Sequence, residues 1–294
     1  MRIAVTGKNG QVARSLETLA QENPHFEVVT LGRPELDLAH PHAARAVLSA
    51  AAPDIVVSAA AYTAVDQAED EPETAYAVNA SGAEAVAQVA EGLGVPLIHL
   101  STDYVYDGTK DAPYVEDDVA NPRSVYGETK LQGEKLVAAA HSSPIIIRTA
   151  WVYSPYGKNF PKTMLALAQN RDEIGVVSDQ SGSPTSALEI ARAIQAVAHK
   201  IVHDGGREFA GIYHFAGSGY ASWHAFAEYV FDSSRRYGGP SAKVKPISTA
   251  QFPTKARRPQ SSQLDCGRFR STFGYEAPDW RHSVDEVVSE LVRS

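Results

Sequence analysis

The sequence predicts an α/β fold, with a Rossmann-type doubly wound parallel sheet and a smaller C-terminal substrate-binding lobe. The first observation is size: 294 residues, 44% hydrophobic and 21% charged, are enough to bury a full core. The second is alternation, because short β-branched runs alternate with alanine-rich helical stretches, as in parallel strands joined by helical crossovers. The third is a glycine turn, Gly7 to Gly10, placed directly after the first strand.

The first half carries the clearest pattern. It predicts strands near residues 2–6, 27–31, 55–58, 97–101 and 145–148, and helices beginning near Gly10, Pro41, Pro72 and Val125. The pattern then loosens into a helix near 160–170, a strand near 174–178, a helix near 186–203 and a strand near 212–215. We expect the sheet of a dinucleotide-binding domain, residues 1–150, to continue through about 174–215.

The remaining sequence predicts the lobe, formed by residues 151–173 and 216–294. A helix is expected near 222–233, then an irregular stretch containing proline and serine through Ser262, and a terminal helix near 283–292. No internal repeat or low-complexity tract is visible.

Composition excludes several classes of function. A net charge of -8 gives no general electrostatic footprint for nucleic acid. The single cysteine, Cys266, rules out an intramolecular disulfide and a cysteine-based zinc site. The histidines show no metal-ligand spacing, and neither a signal-peptide pattern nor a membrane-length apolar run is visible. We therefore expect a cytoplasmic enzyme with a small-molecule substrate and with no nucleic-acid or membrane partner.

The turn after the first strand predicts a dinucleotide site. Gly7 permits a tight turn, Gly10 lets backbone N–H groups approach a pyrophosphate at the positive end of a helix, and Ala13 is small enough for close helix packing. An ordinary strand-to-helix turn would look similar, but its place in a βαβ pattern favours a cofactor. The turn residues expected at the cofactor are Gly7, Asn9, Gly10, Gln11 and Val12.

Two further loops extend this prediction. Arg33 follows the second strand, where an acidic residue would bind the ribose hydroxyl of NAD and an arginine suits the 2′-phosphate of NADPH. Arg33 could instead be a solvated loop charge, so NADH remains an alternative cofactor to NADPH. We also expect Asp37 and Leu38 near the adenine, and the backbone of Ala60, Ala61 and Tyr62 along the cofactor.

The most informative pattern is Tyr126 followed four residues later by Lys130, with Thr102 at the end of the fourth strand. Tyr126 and Lys130 share one helix face, so the ammonium is expected to favour the ionised phenol. Tyr126 would donate a proton to a developing alkoxide, Lys130 would stabilise the phenolate, and Thr102 would hold the carbonyl oxygen. Singly, each has an ordinary structural explanation. Together with the glycine turn they predict hydride transfer at a carbonyl.

These motifs resemble the dTDP-4-dehydrorhamnose reductase family of the extended short-chain dehydrogenase/reductase superfamily. The resemblance rests on six segments that extend across most of the chain. They are residues 7–12, 59–66, 101–108 (Ser-Thr-Asp-Tyr-Val-Tyr-Asp-Gly), 126–130, 148–153 and 182–185.

The resemblance implies reduction of the 4-keto group of dTDP-4-dehydro-6-deoxy-L-mannose to dTDP-L-rhamnose, the last step in making that sugar donor. It implies Thr102, Tyr126 and Lys130 as the catalytic set. The residues that it implies around the nucleotide sugar, besides Thr102 and Tyr126, are Val105, Tyr106, Trp151, Asn159 and Phe160. The basic segment from Lys255 to Arg258 is a further candidate for the nucleotide, and a solvated basic loop is the alternative.

Some members of the family carry a glutamate-rich magnesium site at a dimer contact. Glu189 and Glu290 are weak candidates for such a site here, with Glu286 one helical turn before Glu290. Exposed helix carboxylates are usually solvated, so a structural Mg²⁺ and a homodimer are expectations only.

Two classes of alternative stay open, related nucleotide-sugar enzymes and a non-catalytic binding protein. A related nucleotide-sugar 4-epimerase, or a ketoreductase of another deoxysugar, would share the fold and the Tyr/Lys pair. A 4,6-dehydratase would need an Asp-Glu pair after the threonine, but Asp103 is followed by Tyr104. A non-catalytic regulatory subunit of methionine adenosyltransferase would be free to lose Tyr126 or Lys130, yet the chain has both.

Overall fold

The structure, a computed structural model, describes residues 1–23, 25–205 and 207–293. We number the strands of these described residues along the chain: β1 (Arg2–Thr6), β2 (Glu27–Leu31), β3 (Ile55–Ser58), β4 (Leu97–Thr102), β5 (Ile145–Thr149), β6 (Val152–Tyr153), β7 (Glu173–Val177), β8 (Ser181–Gly182), β9 (Thr185–Ser186), β10 (Gly211–His214), β11 (Ala221–Ser222) and β12 (Lys243–Ile247).

Helices cover the sheet and build the lobe. They are α1 (Gln11–Glu22), α2 (Ala44–Ala51), α3 (Val65–Ala68), α4 (Pro72–Tyr76), α5 (Gly82–Leu93), α6 (Val125–Ala140), α7 (Phe160–Ala168), α8 (Ala187–Asp204), α9 (Trp223–Arg236), α10 (Gly267–Phe273) and α11 (Trp280–Arg293). A π-helical turn, Ala77–Ser81, joins α4 to α5, and single 3₁₀ turns lie at Pro41–Ala43, Asp103–Val105, Arg207–Phe209 and Thr249–Gln251.

The main sheet has six parallel strands in the order β10-β5-β4-β3-β1-β2. Its strands are rich in valine and isoleucine, and every residue of β3, β4 and β5 is buried, as expected for a sheet covered on both faces. The chain moves outward from β1 to β2 and then returns to β3 on the other side of β1. This reversal places a crevice at the carboxyl ends of β1 and β3, where doubly wound folds bind ligands.

Two apolar layers hold the sheet. On one face, Ile3 and Val5 pack with residues of α1 and α8, among them Leu16 and Ile194. On the other face, Val56 and Leu97 pack against α2, α5 and α6 through residues such as Leu48 and Val86. Each of these five helices therefore contributes an apolar stripe to one side of the sheet.

The lobe has its own core, built around the buried rings of Tyr153, Phe226, Phe231 and Trp280. Residues from α7, α9 and α11 surround these rings. Three two-stranded ladders complete the lobe: β12 with β7, β11 with β8, and β6 with β9.

The strands of the first half lie within one residue of their predicted bounds. The expected extension of the sheet through 174–215 is correct only for β10, which pairs with β5. β7 instead pairs with β12, a strand that sequence analysis treated as irregular. A proline within Lys243–Ile247, and the high exposure of that strand, hide it from pattern recognition.

Among the described residues, no helix combines the length and the apolar character needed to cross a lipid bilayer.

Candidate active site

A cleft of about 790 Å³ opens at the carboxyl ends of β1, β3 and β4. All thirteen residues predicted to line the cofactor border it: Gly7, Asn9, Gly10, Gln11, Val12, Arg33, Asp37, Leu38, Ala60, Ala61, Tyr62, Tyr126 and Lys130. The topology thus brings five separate segments of the chain to one surface.

The glycine turn forms one wall of the cleft. Gly7 has φ +95°, and a Cβ there would lie 3.2 Å from the Cα of Ala60, so the two loops approach each other closely. Gly10 precedes α1 and offers no side chain to cap it. The first N–H groups of α1 are therefore available to an anion at the positive end of the helix.

The loop after β3 is held on both sides. The Thr6 hydroxyl accepts hydrogen bonds from the backbone N–H groups of Ala59 and Ala60, each at 3.1 Å. Asn79, in the π-helical turn, accepts from the Tyr62 N–H at 2.7 Å and donates to the Thr129 hydroxyl at 3.0 Å. Asn79 therefore ties the loop that borders the cofactor cleft to the helix that carries Tyr126 and Lys130. Sequence analysis did not single it out.

Basic side chains border the end of the cleft near β2. Arg33 is exposed there and forms no ion pair within the described part of the chain. Lys8 also lines the cleft and packs against Gly32. Asp37 accepts a hydrogen bond from the Ala39 N–H at 3.0 Å, so its carboxylate shapes this loop.

Helix α6 sets Tyr126 and Lys130 in the cleft. The Ser124 hydroxyl caps α6 by accepting from the Gly127 N–H at 3.2 Å, which fixes Tyr126 in the first turn and Lys130 one turn later. A Cβ on Gly127 would lie 2.2 Å from the Tyr104 carbonyl oxygen, so α6 packs directly on the turn after β4. The Thr102 hydroxyl, at the end of β4, is near enough to the Tyr126 phenol to lower its pKa, against the larger effect of burial. The structure therefore brings the three predicted catalytic residues together.

The electrostatics differ from the sequence expectation at one point. Burial raises the pKa of the Tyr126 phenol above its usual value, and the expected lowering by Lys130 is absent. The Lys130 ammonium donates to the Leu100 carbonyl at 2.7 Å, so it is directed toward β4. Burial lowers the pKa of Lys130 to about 8, against an opposing effect of Glu134. Tyr126 is therefore protonated at neutral pH, as a proton donor must be.

A buried ion pair lies behind Lys130. The Glu134 carboxylate accepts from the Arg148 guanidinium at 2.8 and 2.6 Å, and both side chains are only 4% exposed. Arg148 also donates to the Tyr106 hydroxyl at 2.7 Å. Fork-shaped pairing of this kind fixes the relative positions of α6, β5 and the turn after β4.

The predicted sugar-binding residues separate into groups. Val105 and Tyr106 are 0% and 1% exposed and pack in the core with Tyr114 and Leu264, so neither side chain presents a surface to the cleft. Because Val105 and Tyr106 belong to a short turn, the sequence pattern does not indicate which of its side chains point inward. Tyr104, in the same turn, lies edge-on to the Tyr126 ring at 5.5 Å between centroids, and sequence analysis missed it.

Trp151 and Phe160 join an aromatic cluster of the lobe. Trp151 stacks in parallel on Trp223, with centroids 3.4 Å apart, and Phe160 lies 4.7 Å from the Trp223 ring. Trp151 has φ +46°, and a Cβ on Gly182 would lie 2.4 Å from its indole. A non-glycine residue in this conformation is strained, and such strain concentrates at ligand sites. Trp223 was not predicted, although its helix was, because its contact with Trp151 joins segments that are far apart in the chain.

Asn159 is committed to protein contacts. Its amide donates to the Gln11 side chain at 2.9 Å and to the Ser154 carbonyl at 2.7 Å, and its oxygen accepts from the Lys162 N–H at 3.2 Å. It therefore caps α7 and holds Gln11 at the cleft.

The basic segment Lys255 to Arg258 crosses from the lobe to α3. Arg258 pairs with Asp66 at 2.8 Å and donates to the Tyr104 hydroxyl at 3.2 Å. Lys255 pairs with Asp70. The alternative explanation of this segment, a solvated basic loop, therefore does not hold for Arg258, because its partner Tyr104 lies in the turn after Thr102.

The magnesium prediction finds no support. The described residues contain no group of three or more His, Cys, Asp or Glu side chains that could hold a metal ion. Glu189 is 1% exposed, and its carboxylate accepts from Arg192 and Tyr275, whereas Glu290 is exposed. The Arg192 guanidinium already pairs with the Glu189 carboxylate, so Glu189 and Glu290 do not fit a cation site.

The chain matches one family model, the RmlD substrate binding domain, over residues 1–293. A dTDP-4-dehydrorhamnose reductase of Sinorhizobium fredii is 51% identical over 99% of this chain and 98% of its own length. A solved dTDP-4-dehydrorhamnose reductase of Clostridium acetobutylicum has TM-score 0.88 and 36% identity, covering 99% of both chains. The Bacillus anthracis reductase, solved in complex with NADP, has TM-score 0.88 and 34% identity, covering 98% of this chain and 99% of its own.

Proposed function

The chain belongs to the RmlD substrate binding domain family, and on this premise we propose that it reduces the 4-keto group of dTDP-4-dehydro-6-deoxy-L-mannose with NADPH. The product is dTDP-L-rhamnose, and the reaction is the last step in making that sugar donor. The observation that carries the proposal is a single cleft lined by the glycine turn, Tyr126 and Lys130. Relatives that are 51% and 40% identical over almost the whole chain bear the name of this reductase.

We assign the cofactor to the glycine-turn end of the cleft. The free N–H groups at the start of α1 would hold the pyrophosphate, and Ala60, Ala61 and Tyr62 would lie along the dinucleotide. Exposed Arg33 would bind the 2′-phosphate, which favours NADPH, the cofactor whose oxidised form is bound in the Bacillus anthracis relative. Comparison of the NADPH and NADH dissociation constants tests this preference directly.

The chemistry follows from the buried groups. When bound, NADPH supplies a hydride to the carbonyl carbon of the sugar. Tyr126 gives its proton to the oxygen that becomes an alkoxide, and its raised pKa keeps that proton in place until then. Thr102 donates a hydrogen bond to the same oxygen. The Lys130 ammonium, which donates to the Leu100 carbonyl in this structure, would have to turn toward Tyr126 to stabilise the phenolate left there. The result is an alcohol.

We assign the deoxysugar to the surface between Tyr126 and the aromatic cluster of Trp151, Phe160 and Trp223. An indole can pack on the apolar side of a deoxysugar. Tyr104 and Arg258 border the same space, and Arg258 is the candidate that would meet the diphosphate by exchanging its pairing with Asp66. Val105, Tyr106 and Asn159 would act as supports, since their side chains are buried or committed to other contacts.

A cytoplasmic location and a homodimer remain predictions. Both come from the sequence and the resemblance. Gel filtration with light scattering would test the second, and fractionation of the producing cells the first.

The activity test is loss of NADPH absorbance with the keto sugar made in situ by the preceding dehydratase and epimerase. Oxidation that depends on the epimerase would establish the reductase. Oxidation that persists without the epimerase would indicate a different keto sugar, and absence of oxidation with dinucleotide still bound would favour a non-catalytic relative.

A further inference from the structure

Asp103 is a buried carboxyl group directly after Thr102, and the proposed mechanism gives it no part. It is 2% exposed. Its Oδ1 is 3.0 Å from the Thr102 hydroxyl, which donates to it. Its Oδ2 is buried and has no hydrogen-bond partner among the residues that the structure describes.

The hydrogen bonds of Thr102 in this structure conflict with its role in the proposed reaction. A threonine hydroxyl has one proton to donate. While Asp103 is ionised its carboxylate can only accept, so the proton goes to Asp103, and the Thr102 oxygen accepts from the Tyr104 N–H at 3.2 Å. No proton is then left for the carbonyl oxygen of a sugar, although the proposed reaction requires Thr102 to donate there.

A neutral Asp103 resolves the conflict without moving any heavy atom. The carboxyl O–H would donate to the Thr102 oxygen across the same 3.0 Å. The single proton of Thr102 would then point away from Asp103, toward the substrate.

The surroundings of Asp103 stabilise its neutral form more than those of an ordinary, exposed aspartate do. A carboxylate with one buried, unpaired oxygen is costly, and protonation removes most of that cost. Burial raises the pKa of Asp103 to about 6, against the opposing effect of the Ser262 and Thr102 hydroxyls and of the backbone N–H groups of Asp103 and Tyr104. Two phenols also face it, Tyr104 and Tyr126, and ionised Asp103 raises the pKa of both.

The charged groups around Asp103 are engaged elsewhere. The nearby cation, Arg258, reaches the Tyr104 hydroxyl and pairs with Asp66. No described cation forms an ion pair with the Asp103 carboxyl, so nothing holds it ionised by direct pairing.

Resting on the proposed function, we propose that Asp103 is a positioning residue that works as a neutral carboxylic acid, donating to Thr102 and turning the Thr102 proton toward the carbonyl oxygen of the substrate. In its neutral form, a carboxyl group directs a hydrogen bond without itself transferring a proton.

The test is the pH dependence of kcat/KM for the keto sugar in the wild type and in Asp103→Asn, from about pH 5 to about pH 9. The carboxamide donates to Thr102 at every pH. We expect the wild type to lose activity as pH rises through about 6, since the neutral form of Asp103 is lost. In Asp103→Asn this fall should be absent, and activity should persist to about 8, where Lys130 loses its proton.

Two further variants complete the test, one expected to lose activity and one that serves as a control. Asp103→Ala should lose roughly tenfold to a hundredfold in kcat/KM across the range, because Thr102 is no longer directed. Asp117→Asn makes the same chemical change at a carboxylate that pairs with Arg268 at the surface, and it should follow the wild-type profile.

Three outcomes would contradict the inference. Wild-type activity that rises through pH 6 with an inactive Asp103→Asn would make the carboxylate the working form. An unchanged fall in Asp103→Asn would assign the titration to another group. Wild type without NADPH oxidation at any pH would overturn the proposed function and this inference with it, which distinguishes that failure from the first two.

A carbon-13 NMR titration of aspartate-labelled wild type does not depend on any variant folding. One buried aspartate that still holds its proton near pH 6 supports the inference. Complete ionisation of every aspartate carboxyl by about pH 5 would defeat it.

Discussion

The two ends of the cleft differ in how they are built. The cofactor end comes from the carboxyl ends of parallel strands, with small residues such as Gly7 and Ala60 that let backbone groups approach. The end that we propose for the sugar comes from the lobe, where Trp151, Phe160 and Trp223 form an aromatic cluster. Backbone geometry therefore defines the first end, whereas side-chain packing between distant segments defines the second. We expect substitutions at the two ends to separate cofactor affinity from sugar affinity.

The largest effect, on stability, is expected at the junction between α6 and β5, which supports both ends of the cleft. Arg148→Ala should lower the free energy of unfolding by roughly 3–5 kcal/mol, because the Glu134 carboxylate would be left buried and unpaired. Urea unfolding would measure the change. The matched control, Arg235→Ala, breaks an exposed pair with Asp232 and should cause no measurable loss. Equal losses in both variants would contradict the structural account of the junction.

At the meeting point of the two ends, Tyr126→Phe should lower turnover by roughly a hundredfold or more, because the proton donor is removed. The affinity for NADPH, measured by fluorescence titration, should stay nearly unchanged, since the ring remains. Turnover close to that of the wild type would require another proton donor.

At the cofactor end, Arg33→Ala should weaken NADPH binding about tenfold, because a charged hydrogen bond to the 2′-phosphate is lost. NADH, which lacks that phosphate, should bind as before. The comparison needs both dissociation constants at one ionic strength. Equal weakening of both cofactors would mean that Arg33 does not recognise the phosphate.

The smallest effect is expected at the sugar end. Trp223→Ala removes the ring that stacks on Trp151 and should raise KM for the keto sugar about fivefold, leaving NADPH affinity unchanged. Steady-state kinetics at saturating NADPH would measure it. A loss confined to NADPH affinity would show that the two ends are not separate.

The same contrast explains what sequence could predict. The strands and the glycine turn follow from local periodicity and from residue types that only certain backbone conformations tolerate. Thirteen positions that border the cleft could therefore be predicted. Tyr126 and Lys130 share a helix face, which spacing alone reveals. The parallel-sheet topology then brings Thr102 to them.

The rest depends on contacts between segments far apart in the chain. The Tyr104 hydroxyl accepts a hydrogen bond from Arg258, which lies 154 positions later in the chain, and no local sequence pattern near either residue predicts this contact. The burial of Val105 and Tyr106 depends on Leu264 and Tyr114. The protonation state of Asp103 depends on burial, which one sequence does not specify. Strand β12 was missed because its pattern is interrupted by a proline.

The central claim is that one cleft joins the reduced nicotinamide to the carbonyl of the sugar. The most direct measurement is transfer of deuterium from NADPH labelled at the nicotinamide hydride position, followed by NMR of the sugar product. The account predicts one deuterium at carbon 4 of the new dTDP-L-rhamnose. NADPH oxidation without deuterium at that carbon, or deuterium at another position, would contradict it.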